Sequence, residues 1–185
     1  GFIVSEINAK KGEEFIDFEG QDPLTLKDVF GNNKEAIFLT QIERTIDRHM
    51  KVQQKNFDKG IKVLSLFFID RVANYIEDEG VIRVIFEEAF DNIKIRYPFF
   101  KEKNVEDVHR GYFSKRKKKG SDEEEAFDSE GNTLADRRAE KEAFALIMRH
   151  KEQLLSMDEE VCFIFAHSAL KEGWDNPNVF QICTL

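Results

Sequence analysis

Residues 161–185 read VCFIFAHSALKEGWDNPNVFQICTL, and their pattern decides the fold. Val161 to Ala166 is a short, unbroken apolar run, the signature of a strand covered on both faces. His167 to Asp175 mixes polar residues with Gly173 and reads as a turn with a short helix. Val179 to Leu185 returns to strand. Strand, helix and strand in succession predict an α/β fold with a largely parallel sheet.

The same grammar extends upstream. Val63 to Ile69 (VLSLFFI) is another buried strand, with Asp70 placed to cap a helix through Arg71, Val72, Ala73, Asn74 and Tyr75. Val81 to Ile93 is helical up to the break at Tyr97-Pro98, and Val108 to Ser114 (VHRGYFS) is a short strand containing a glycine. Asp136 to Leu155 is a helix with Phe144, Ile147 and Leu154 on one face. A long helix runs from about Lys34 to Phe57, with Asn32 as N-cap and Glu35 three residues on. Leu39, Ile42, Ile46, Met50 and Phe57 form its apolar stripe, Gly60 stops it, and His49 beside the stripe is assigned a packing or surface role in preference to a ligand role. Phe2 to Phe18 reads as a hairpin turning at Lys11-Gly12, and Gly20 to Asn33 as a loop. The expected organisation is a hairpin and linker over residues 1–33, then one domain over residues 34–185. Its sheet should have about five strands between helices, with the last strand or the sheet edge poorly covered, giving either a self-associating edge at Val179 to Leu185 or weak stability.

Composition narrows the function. The 185 residues are 41% hydrophobic and 35% charged, which fits a globular domain. Eighteen Phe against three Tyr and one Trp predict a core of phenyl rings. A formal charge of −8 excludes a uniformly basic nucleic-acid coat, although not a local basic face. No apolar run approaches the ~20 residues of a membrane helix, and no basic–apolar leader opens the chain. Cys162 and Cys183 lie in strands without spaced partners, which points to a reducing cytoplasm. His49, His109, His150 and His167 show no zinc spacing, so no metal site is expected.

Residues 114–132 carry Lys115 to Lys119, then Asp122 to Glu125, and adjacent blocks of opposite charge mark a flexible, solvated loop. The competing reading uses that basic run, just after Tyr112 and Phe113, to touch nucleic acid. The acidic block is not a helicase acidic box, because it follows a basic run instead of ending a buried strand. A G-x-x-x-x-G-K-[ST] phosphate loop, a G-x-G-x-x-G and a G-x-S-x-G are all absent from the sequence. No Asp/Glu pair has the buried setting an acid–base hydrolase needs.

The word His167 to Val179, HSALKEGWDNPNV, resembles motif V of superfamily 2 helicases, in the form found in the Res subunit of type III restriction enzymes. FIFAHSAL, NVFQICTL, IKVLSLFFIDRVANY at 61–75, HRGYFS at 109–114 and the helix containing Ile42, Thr45 and His49 follow in the order of that family's second RecA-like domain. Together they cover about residues 35–185. The resemblance implies a RecA-like three-layer sandwich preceded by a short β-hairpin. It makes Val63 to Ile69, with Asp70 and Arg71, motif IV, and puts Arg71, Tyr112 and Ser114 toward DNA. In motif V, His167 or Ser168 would meet a strand phosphate, while Gly173 and Asp175 would lie beside the nucleotide. Many superfamily 2 proteins have threonine where His167 stands, and the hydroxyl comes one residue later as Ser168. Gly173 would let backbone approach closely, and Asp175 would accept hydrogen bonds from a ribose or from an arginine of a facing lobe.

The resemblance further implies that these residues hold no catalytic group of their own. ATP and Mg would be shared with a first RecA-like domain carrying the phosphate loop and acidic box. The arginine-rich motif VI and the nuclease region would also lie outside these residues. The implied activity is that of an ATP-dependent DNA translocase and endonuclease subunit in the cytoplasm, without a membrane, partnered by duplex DNA and a modification (methyltransferase) subunit. The alternative is a helicase-like nucleic-acid-binding or scaffold domain without motor activity.

Overall fold

The structure, a computed structural model, describes residues 4–10, 14–19, 23–25, 34–77, 79–118, 120, 122–129, 132–167 and 176–185. It divides into two units, residues 1–38 and 39–185. In the first, β1 (Val4–Asn8) pairs antiparallel with β2 (Phe15–Phe18), which pairs antiparallel with β3 (Leu24–Thr25). The expected hairpin is therefore present. Its turn at Lys11-Gly12 lies outside the described residues, as does the Asn32 cap.

Helix α1 (Lys34–Asn56) is followed by a 3₁₀ turn, Phe57–Lys59, and by Gly60. Gly60 adopts φ +65°, a left-handed conformation that glycine takes without a Cβ clash, and this ends the helix. The central strand β4 (Leu64–Phe68) comes next, then α2 (Ala73–Ile76), α3 (Val81–Lys94) and α4 (Val105–Val108). Strand β5 (His109–Tyr112) leads into a two-stranded ribbon, β6 (Lys115–Lys117) and β7 (Glu124–Ala126). Helices α5 (Leu134–Arg149) and α6 (Lys151–Leu155) precede β8 (Phe163–Ala166) and β9 (Val179–Thr184).

The main sheet has the order β5-β8-β4-β9, and all three pairings are parallel. It shows four strands among the described residues, against the five expected. Side chains alternate across it, so Ser65, Phe67, Phe163, Phe165 and His109 share one face. Helices α1 and α3 cover that face. The Phe86 ring packs 5.1 Å from Phe163 and 5.9 Å from Phe67, and Phe67 stacks on Phe165 at 4.8 Å. The opposite face meets α5 and α6, where Tyr112 Oη lies 3.3 Å from His150 Nδ1 and Ile147 and Leu154 are buried. Helices on both faces of a parallel sheet make the α/β sandwich of the RecA-like type, with the expected phenyl core. On the outer strand, Phe180 and Ile182 are 46% and 65% exposed, so that side of β9 is poorly covered.

Four local expectations need correction. Leu39 and Phe57 are exposed; the buried side of α1 is Phe38, Ile42, Ile46, His49, Met50 and Gln53. Apolar spacing misses this because two polar side chains belong to the stripe and find internal partners. Gln53 Oε1 accepts the Val63 N–H at 2.7 Å and its Nε2 donates to Ile61 O, while His49 Nδ1 lies 2.9 Å from Ser65 Oγ. The α1 periodicity also stops at Asn56, before Phe57, which instead packs on Phe99 at 4.9 Å.

The second correction is at α2, whose N-cap is Val72 rather than Asp70. The Val72 N–H goes to Asp128 Oδ1 at 2.6 Å, and Asp70 Oδ1 accepts from Asn74 Nδ2 at 2.8 Å. Third, the helix expected over Asp136 to Leu155 breaks at His150 into α5 and α6. Fourth, the stretch read as a flexible loop contains the β6–β7 ribbon. Its blocks zip together, Lys115 to Glu124 at 3.9 Å, Arg116 to Glu125 at 2.8 Å and Lys117 to Asp122 at 3.0 Å, because antiparallel folding lays one block against the other. Among the described residues, no helix is long and apolar enough to cross a membrane.

Candidate functional site

Parallel strands end together, and in open α/β sheets ligands gather at the carboxyl ends. Here β8 and β4 run in register, so Phe68 and Ala166 end side by side; the Ile69 N–H then bonds Ala166 O at 3.0 Å. The Leu185 N–H bonds Phe68 O at 2.8 Å, which draws the end of β9 to the same edge. Phe68, Ile69, Asp70, His167, Thr184 and Leu185 line an open cleft of about 460 Å³ there. The floor is apolar sheet, and the rim holds a carboxylate, an imidazole and a hydroxyl.

His167 leaves β8 half-buried, with Nδ1 buried and without a hydrogen-bond partner among the described residues. A buried polar nitrogen is costly to leave unpaired, so this one needs a partner beyond the described residues. Arg71, on the turn after β4, is exposed and has no ion-pair partner among the described residues. Asp128, which gives no signal in the sequence, reaches across from the end of the ribbon to hold that turn through the Val72 amide.

Of the residues singled out from sequence, Arg71, Tyr112, Ser114 and His167 stand at or just beyond the carboxyl ends of three neighbouring strands, β4, β5 and β8. His167 lines the cleft, and Arg71 is exposed on the turn after β4. Tyr112 and Ser114 are 2% exposed and turn inward, Tyr112 toward His150 and Ser114 Oγ to Ser129 Oγ at 3.0 Å. Burial also raises the pKa of the Tyr112 hydroxyl. Ser168, Gly173 and Asp175 lie outside the described residues. The start of β9 is anchored beyond them: Asn176 Oδ1 accepts the Asn178 N–H at 3.0 Å, and Asn178 Nδ2 donates to Lys62 O at 2.8 Å.

The remaining buried titratable groups serve the core. Burial brings His49 down to about 3, with the charge of Lys62 acting in the same direction. Burial brings His109 to about 4 although Glu87 pulls the other way, and Tyr75 Oη lies 2.6 Å from its Nδ1. Cys162 is buried and its thiol is pushed up to about 12, which makes it an inert core group; Cys183 is likewise a free, buried thiol. Gly111 sits where a Cβ would come within 2.8 Å of the Tyr75 ring and 2.3 Å of Phe113, so the HRGYF strand needs glycine for these rings to pack. Among the described residues, no group of three His, Cys, Asp or Glu could hold a metal ion.

A parallel α/β sheet between helices, with a polar cleft at its carboxyl edge, is the architecture that RecA-like domains share with other open α/β folds. No family profile matches the chain. Three curated relatives do. The chain is 36% identical over 163 residues to the type III restriction-modification enzyme EcoPI Res subunit of Escherichia phage P1, covering 79% of this chain and 15% of that protein. It is 35% identical over 161 residues to the EcoP15I Res subunit of Escherichia coli, covering 78% of this chain and 15% of that protein. It is 31% identical over 181 residues to the StyLTI Res subunit of Salmonella typhimurium, covering 78% and 17%. Over the matched stretch the chain belongs with the Res subunits of type III restriction-modification enzymes, and it spans about a sixth of the length of these relatives.

Proposed function

We propose that the chain is the second RecA-like motor domain of the ATP-dependent DNA translocase and endonuclease subunit of a type III restriction system, acting in the cytoplasm on duplex DNA with a modification subunit. The observation that carries the reading is the placement of His167 and Arg71 at the shared carboxyl edge of β8 and β4, beside an open polar cleft. An imidazole on the cleft rim suits an oxygen-bearing ligand such as a phosphate, and an open cleft suits a site completed by a facing lobe. In this reading Arg71 and either His167 or Ser168 hold the DNA backbone, with Tyr112 and Ser114 shaping the neighbouring turn. Gly173 and Asp175 face the nucleotide and the first RecA-like domain. When bound, ATP with Mg supplies the hydrolysis that drives opening and closing of the two lobes. This chain's own residues bind and orient, and none of them activates the attacking water.

In the complete protein that carries this chain, Asp175→Ala and Arg71→Ala should each lower DNA-stimulated ATP turnover at least about tenfold, the size expected when a positioning contact in phosphoryl transfer is lost. Turnover within twofold of wild type in both variants would overturn the reading. The scaffold alternative depends on the basic ribbon strand, and three of its cations already have carboxylate partners.

A further inference from the structure

The outer surface of α1 carries a row of cations that the cleft does not use. Arg44, Arg48, Lys51 and Lys55 recur at steps of four, three and four residues, and all four are exposed. At about 100° per residue they fall within about 60° of arc, on the side of the helix opposite Ile42, Ile46, His49 and Gln53. Lys51 is engaged by Asp47 at 2.5 Å. Arg44, Arg48 and Lys55 have no carboxylate partner among the described residues, nor has Lys59 just past the helix end. Asp47, at the edge of the row, is further occupied by Tyr97 Oη at 2.6 Å and Arg96 at 3.4 Å, and among the described residues Glu43 and Asp58 form no ion pair with the row. Free cations in register are unexpected in a chain of net charge −8, where carboxylates outnumber them.

The row has a direction. Gln41 Nε2 donates to Thr184 O at 3.3 Å, so the early part of α1 lies at the carboxyl end of β9, where the cleft opens. Gln53 reaches Val63 N and Ile61 O at the other end of the sheet. The helix therefore runs antiparallel to the strands and carries its cations away from the cleft. From Arg44 to Lys55 the row extends ~16 Å, at 1.5 Å per residue. Over that distance one duplex strand presents about five phosphates. Buried packing beneath the helix holds the row in place, so little ordering is required when a polyanion docks.

We infer that this α1 row is a second DNA-backbone contact, a track for duplex phosphates leading away from the strand-end cleft, with Arg44, Arg48 and Lys55 each neutralising a phosphate. The assignment rests on the motor reading above and adds a surface that reading does not need. Contacts of this kind position DNA without reading its sequence.

The test uses the complete protein and a short duplex of arbitrary sequence, with affinity measured by fluorescence anisotropy over a salt series. Arg44→Gln, Arg48→Gln and Lys55→Gln combined should flatten the slope of log K against log salt by about three and weaken binding on the order of a hundredfold near ~0.15 M salt. The charge-conserving set Arg44→Lys, Arg48→Lys and Lys55→Arg should keep the wild-type slope, which separates charge from folding. An unchanged slope in the glutamine variant, with wild type binding normally, overturns the track and leaves the motor reading standing. Loss of binding to the modification subunit with DNA affinity intact also overturns it and assigns the row to a protein. Wild-type protein that neither binds duplex nor hydrolyses ATP in response to it defeats the motor reading as well.

Discussion

Two stretches of this molecule carry cations at regular spacing, and they have opposite fates. On β6, Lys115, Arg116 and Lys117 stand in a row and each meets a carboxylate from the β7 side. On α1, Arg44, Arg48 and Lys55 are scattered in sequence, stand in a row in space, and meet no carboxylate among the described residues. A run of like charges followed closely by its opposite is the pattern most easily neutralised at home, because a tight reversal places the two blocks face to face. Charges spread at helical spacing escape notice as a run, yet they emerge as one surface. The conspicuous basic tract is thus the silent one.

The comparison also holds beneath the surface, and the largest expected effect is there. The α1 row stands on a fully buried face, whereas the ribbon stands on exposed or half-buried residues. Ile46→Ala removes buried methyl groups directly under the row and should cost ~2–5 kcal/mol in urea unfolding. Ala126→Gly in the ribbon should cost no more than about 1 kcal/mol. Equal losses at the two sites would mean that α1 is no more firmly seated than the ribbon, and the notion of a rigid track would fail.

How much of this was legible in the sequence depended on which force wrote each element. The strands Val63 to Ile69 and Val161 to Ala166 were visible because burial on both faces leaves an unbroken apolar run. The HRGYFS word and the β9 word likewise fall on strands of the main sheet, β5 and β9. The underside of α1 was misread at Leu39 and Phe57 because His49 and Gln53, polar residues with private hydrogen-bond partners, belong to the buried row. The inward turn of Tyr112 and Ser114 depends on His150 and Ser129, which lie far along the chain, and no local pattern announces such partners. The hold of Asp128 on the Val72 amide is invisible for the same reason. A helical projection of residues 44–55 would have exposed the basic row, since its information is angular.

A middle-sized effect comes from pH. His49 on the underside of α1 titrates near 3, and His109 under α3 near 4, because burial disfavours their charged forms. In the unfolded chain a histidine titrates near ~6.5. Above that pH neither state takes the proton and stability is fully present. Below it the unfolded chain binds protons that the folded one refuses, so stability falls as pH falls, by ~1.4 kcal/mol per pH unit for each histidine, until the folded values are reached. His49→Gln should remove one histidine's share of that slope between roughly pH 6 and pH 4.5, a window above most carboxylate titration. A slope identical to wild type would show that His49 reaches water, and with it that the α1 underside is open.

The smallest effect tests whether the ribbon cations are truly spoken for. Arg116 and Glu125 are 60% and 39% exposed, and the guanidinium also lies 4.9 Å from the Phe127 ring centroid. Exposed pairs of this sort couple by ~0.2–1 kcal/mol and weaken with salt. A double-mutant cycle of Arg116→Ala and Glu125→Ala should return a coupling in that range that shrinks as salt is added, while the companion cycle of Arg48→Ala and Glu125→Ala returns none. Such a coupling is weak, yet ample to keep the ribbon closed, because closure needs only local ordering. If the coupling were absent altogether, the two basic tracts would be equally free, and the contrast between a silent ribbon and an available helix would rest on proximity alone.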